Sequence, residues 1–134
     1  MRNVDLGLLI LRVGVGASML ILHGWGKLAG GAEMWARVGG AMANLGITFL
    51  PTMWGFLAAL AESVGSLLLV LGVVTRPAAA MLAFTMLVAT LSHLNMPPSE
   101  PRAGWMGASH AVKLLCVYLA LVFTGPGKYS ISGK

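Results

Sequence analysis

The sequence predicts an all-α fold: an integral membrane four-helix bundle with a short interfacial helix between its first two spans. Three observations point there. Of 134 residues, 57% are hydrophobic and only 10% charged, with a mean hydropathy of +0.84, whereas a small soluble domain needs a charged, mixed surface. The apolar residues gather into four runs, each near the ~20 residues that carry a helix across hydrocarbon. Most charges fall between those runs, as in a polytopic membrane protein. One membrane domain, residues 1–134, takes up the whole length and leaves no room for a soluble catalytic domain.

The first span is expected over about residues 6–27. Gly7, Gly14, Gly16 and Ser18 give it positions where another helix can come close. Arg12 interrupts the apolar run, which is also longer than a signal-peptide core, so the segment reads as an uncleaved span. Gly24 and Gly26 loosen its end, and Lys27 is placed to snorkel toward head groups. Gly30 and Gly31 then break the chain. Met34, Val38, Met42 and Leu45 recur at helical spacing, with Arg37 and Asn44 on other faces. This is the pattern of an interfacial helix over about 33–45, stopped at Asn44, Leu45 and Gly46.

The second span is expected over about 53–74, with a small face of Ala58, Ala61, Gly65 and Gly72 and with Glu62 close to it. Thr75 suits a helix cap and Pro77 a first helical turn, opening a third span over about 77–94. Its small stripe is Ala78, Ala79, Ala83 and Ala89. The segment from Asn95 to Arg102 holds three prolines and cannot continue a helix. The fourth span, about 107–124, stops at Gly125, Pro126 and Gly127.

With four spans, both termini share a side. That side holds Arg2, Arg12, Arg76, Lys128 and Lys134; the other holds Lys27, Arg37 and Arg102, with Lys113 at some depth. The balance favours cytoplasmic termini in a bacterial inner (plasma) membrane. All four tryptophans (Trp25, Trp35, Trp54 and Trp105) fall on the opposite side, as an aromatic belt would. The net charge of +5 comes from scattered residues with no basic run, which suits anionic lipid head groups rather than nucleic acid. Cys116 is the lone cysteine. It reads as a small buried apolar side chain, and thiol–disulfide chemistry by this chain alone is excluded.

The chemistry is concentrated in five ionisable residues near one membrane face: His23, Glu62, His93, His110 and Lys113. An ionisable side chain in hydrocarbon is costly and marks a functional site by default. From the helical rise, Glu62 lies about 12 Å deep, Lys113 ~9 Å, His110 ~5 Å, and His23 and His93 only a few ångströms. They are candidates for ligand binding or proton handling; the packing alternative is a Glu62–Lys113 or Glu62–His pair that fixes helix register. Asp5, Arg12 and Lys27 read as structural polar residues. Asp5 lies two turns before Arg12 and is its expected partner. His23, His93 and His110 could hold a metal, and two histidines a haem. No HExxH or CxxCH spacing supports either, so no metal is assigned. A quinone headgroup fits best, since it needs hydrogen-bond partners and a proton route near the membrane surface.

The order of short motifs resembles the DoxX family of small four-span membrane proteins. The similar pieces are Leu11-Arg12-Val13-Gly14, His23-Gly24-Trp25-Gly26-Lys27-Leu28, Glu62-Ser63-Val64-Gly65, and Leu71-Gly72 through Thr75-Arg76-Pro77. Further on come Ala89 through Ser92-His93, Ser109-His110-Ala111, and Gly125-Pro126-Gly127-Lys128-Tyr129-Ser130. The segment from Met34-Trp35 to Leu45-Gly46 looks like the same family's first loop. Two positions depart from the pattern: Lys113 stands where an acid is common, and Ser132 where an aspartate follows the tail Tyr-Ser. The resemblance implies a membrane redox association, since some members are small subunits of thiosulfate:quinone oxidoreductase or components linked to terminal oxidases, and others resemble subunits of oxidative-stress complexes. It thus implies a membrane or peripheral redox protein as partner. The other classes are a non-catalytic scaffold, or a small-solute or proton pathway that would need a homo-oligomer.

Overall fold

A computed structural model describes residues 2–131. Ser132, Lys134 and the Arg2 side chain lie outside the described residues. Among those described, every regular element is helical. Four helices are long and apolar enough to cross a membrane: Asn3–Ala29, Pro51–Leu71, Thr75–Leu94 and Gly104–Thr124. The protein is therefore an all-α integral membrane protein.

The element boundaries follow the backbone chemistry. Pro51 occupies the first turn of the second span, where its missing N–H costs nothing. That span ends at Leu71 rather than near Val74, because Gly72 turns left-handed (φ 72°) and its N–H bonds the Leu68 carbonyl at 2.8 Å. The cap of the third span differs from expectation. Thr75 is already helical, and the capping position falls on Val74, a β-branched residue at φ 40°. Between the first two spans, helix Gly31–Gly39 runs into a 3-10 segment, Gly40–Leu45. Gly46 (φ 80°) ends it, bonding the Ala43 carbonyl at 2.9 Å.

Packing runs in chain order. The first span lies along the inner half of the second, the second on the third, and the fourth along the third. The interfacial helix covers the outer half of the second span. Small residues set these approaches. A Cβ on Gly39 would overlap the Pro51 carbonyl, and one on Gly55 the Trp35 carbonyl, so the interfacial helix and second span cross with backbones touching. Gly16 likewise sits against Ser66 and Val70. The core is built from Ala78, Ala79, Leu82, Ala83 and Met86 of the third span against Tyr118 and Leu121 of the fourth. Cys116, expected to be buried, is exposed, because it lies off the face that packs on the third span.

Candidate functional site

The helical ladder loosens twice, at Leu20–Gly24 in the first span and Ala61–Gly65 in the second, each a single π-helical turn. Such bulges insert an extra residue into a turn and recur at functional sites. Here the two bulges meet, and Gly24 allows it: a Cβ there would run into the Glu62 carbonyl. His23 and Glu62 are thus both carried on distorted turns that face one another.

Glu62 is 1% exposed, and its two carboxylate oxygens accept from Lys27 Nζ at 2.9 and 2.7 Å. This corrects two expectations. Lys27 turns inward rather than toward head groups, and it takes the place expected for Lys113 or a histidine. Lys113 is exposed on the fourth span. Lys27 follows the first bulge closely, and Trp35 Nε1 donates to the Lys27 carbonyl at 3.0 Å, tying this end of the span to the interfacial helix. The Trp35 ring is itself held edge-on by Phe56, centroids 4.8 Å apart. An ion pair with such burial offsets desolvation only through close, two-oxygen geometry, which this pair has.

Beside the pair lies a cavity of about 430 Å³. The interfacial segment contributes Met42, the second span Trp54 and Leu57, and the third span Phe84 and Thr85, while Lys27 and Glu62 supply the charged part of the wall. Leu57 and Phe84 are also exposed on the outer surface, so the cavity borders lipid. A side-chain network ties the interfacial segment to the end of the third span. Asn44 Nδ2 donates to Ser92 Oγ at 2.9 Å, and Asn95 Nδ2 donates to Asn44 Oδ1 at 2.6 Å. The tryptophans divide accordingly: Trp25 and Trp105 are exposed as belt residues should be, whereas Trp35 and Trp54 are built into this corner.

The other histidines go elsewhere. His23 and His110 come together, ring centroids 5.3 Å apart and planes tilted by 32°, beside a groove between the first and fourth spans. His93 Nδ1 lies 2.8 Å from the Arg102 carbonyl oxygen and fastens the end of the third span to the following loop. Of the five expected site residues, His23, whose turn faces that of Glu62, is brought onto His110, while His93 is held at the following loop and Lys113 stands exposed. Among the described residues no three His, Cys, Asp or Glu side chains group as a metal centre requires, so His23, His93 and His110 do not make one donor set.

At the opposite end Arg12 is fully buried. Its guanidinium donates to the Leu69 carbonyl at 3.5 Å and to the Tyr129 carbonyl of the returning tail. Gly72 leaves it room. Asp5 is not its partner, as expected from spacing; Asp5 Oδ1 accepts the Lys128 backbone N–H at 2.9 Å. The tail lies across this end and takes up both side chains.

The sequence reading missed Lys27 as the partner of Glu62 and missed the cavity. The signal available was depth, since Lys27 ends the first span on the side of the membrane toward which Glu62 lies. Compared with known families, residues 7–95 match DoxX. The matched segment includes His23, Lys27, Glu62 and His93 and ends before His110 and Lys113. Neither the curated proteins nor the solved structures give a match.

Proposed function

Because the chain belongs to the DoxX family, we propose that this integral membrane protein is a small subunit of a quinone-linked redox complex. It holds a quinone-like headgroup in the cavity between the interfacial helix and the second and third spans. The observation that carries this reading is an apolar cavity of about 430 Å³ bordering lipid, with one buried ion pair in its wall. Pockets of this size with few, well-placed polar groups suit small organic ligands, and a lipid-soluble ligand enters from the bilayer side.

A quinone supplies two-electron, two-proton chemistry. In this reading the Lys27 ammonium orients a carbonyl oxygen, and Glu62 accepts or returns a proton. Electrons come from a membrane or peripheral redox protein. His23, His110 and Lys113 lie outside the cavity and touch no ligand in it, and neither does His93. The protein sits in a bacterial plasma membrane with both termini cytoplasmic. The withdrawal of Lys27 into an ion pair supports that orientation, since it strips one cation from the opposite face.

Glu62→Gln tests the reading. Quinone-linked activity of the complex and quinone retention in native mass spectra are expected to disappear, with yield and melting temperature almost unchanged. Failure to fold would instead assign Glu62 to packing. One observation favours a second reading, a non-catalytic scaffold: both Glu62 oxygens are already taken by Lys27. Under that reading the partner complex keeps its activity with Glu62→Gln and loses it only when this chain is absent.

A further inference from the structure

We propose that the groove between the first and fourth spans seats a transmembrane helix of a partner subunit, and that this helix carries a carboxylate. The inference rests on the chain being one subunit among others, and not on the quinone.

The groove has a volume of about 300 Å³ and is lined by Leu11, Gly14, Ser18 and His23 on one side and by His110 and Leu114 on the other. It exists because the two spans that border it are each committed elsewhere. The first packs on the second and the fourth on the third, with no comparable seam between first and fourth. On the first span, Arg12, Gly16 and Met19 face inward and are buried. Positions 7, 11, 14 and 18 form a separate row, turned about 140° from the inward one. Their 4-3-4 spacing is that of a helix–helix seam. A Cβ added at Gly7 or Gly14 would meet nothing within 4 Å, so a second backbone has room to approach.

Polarity distinguishes this groove from an ordinary lipid-facing surface. Ser18 and His110 are exposed in its wall and His23 closes one end, while Lys113 stands exposed on the fourth span next to the lining Leu114 and one turn from His110. By helical rise, His110 lies about 9 Å and Lys113 about 13 Å inside the fourth helix, where unpaired polar and cationic groups are expensive. Charge complementarity then selects the occupant. Of the four acids in the chain, Glu62 is taken by Lys27 and Asp5 by the tail. Glu33 and Glu100 belong to the interfacial helix and the loop after the third span. A second copy of this chain therefore brings no free carboxylate to the depth of Lys113. A different polypeptide does.

A photo-crosslinking residue placed at Ser18 in the full chain, in native membranes, tests this, with Leu67 on the exposed face of the second span as control. The expected result is an adduct at Ser18, and not at Leu67, whose crosslinked peptide is a spanning helix containing Asp or Glu. Lys113→Glu should reduce that adduct about tenfold. Gly14→Leu should abolish it while leaving the purified chain's melting temperature and quinone retention unchanged. An adduct between two copies, an adduct with lipid alone, or a partner helix without an acid would each overturn the proposal. Since the readout is a covalent adduct, loss of quinone binding in Glu62→Gln leaves it unaffected, and the two proposals can fail separately.

Discussion

Arg12 and Glu62 are both charges buried in a membrane bundle, one toward the face that holds the termini and one toward the face that holds the interfacial helix. Arg12 is met by backbone: carbonyls at the end of the second span and in the tail. Glu62 is met by one lysine side chain that remains 31% exposed, beside a cavity. Backbone acceptors cannot leave without unwinding the elements that present them. A lysine can rotate away and be replaced. The same cost of burial thus yields a lock at one end and an exchangeable contact at the other.

The largest expected effect breaks the lock. Arg12→Ala leaves a hole and two unpaired carbonyls, and should destabilise the protein by about 3 kcal/mol, measured by denaturant titration in detergent. If it melts no lower than Glu62→Gln, the contrast between the ends is wrong. Gly55→Ala comes next. Its methyl overlaps the Trp35 carbonyl and should cost about 2 kcal/mol, while forcing the interfacial helix off the cavity and weakening quinone retention with it. Glu62→Gln should change stability by less than about 1 kcal/mol, since Lys27 can turn outward; calorimetry of the purified chain reads this directly. The smallest effect sharpens the picture at the lock. Val74 sits at φ 40°, a conformation that glycine adopts freely, so Val74→Gly should raise stability by up to about 1 kcal/mol.

The spans could be read from hydropathy, and their ends from proline and glycine, because both signals are local. Arg12 as a helix-knitting residue was also legible, though its acceptors were not, since backbone carbonyls leave no mark in a residue pattern. The pairing of Glu62 was hidden for a different reason. Spacing arguments assume a regular helix, and each π turn adds one residue, rotating the remainder of the helix by about 100°. Lys27 lies just past one such turn and Glu62 sits in the other. Depth survived this distortion and azimuth did not. For that reason Lys113, at a suitable depth, was an attractive partner on paper and faces outward in the structure.

The contact between Arg12 and the Tyr129 carbonyl joins residues 117 positions apart, and that separation is also an interval of time. At ordinary elongation rates roughly ten seconds pass between synthesis of the two. For much of that interval the first span is in the translocation machinery or the bilayer with an arginine whose Tyr129 acceptor has not yet been made. The span cannot take its final seat until the tail returns, so biogenesis of this small bundle ends, rather than begins, with the docking of its first helix.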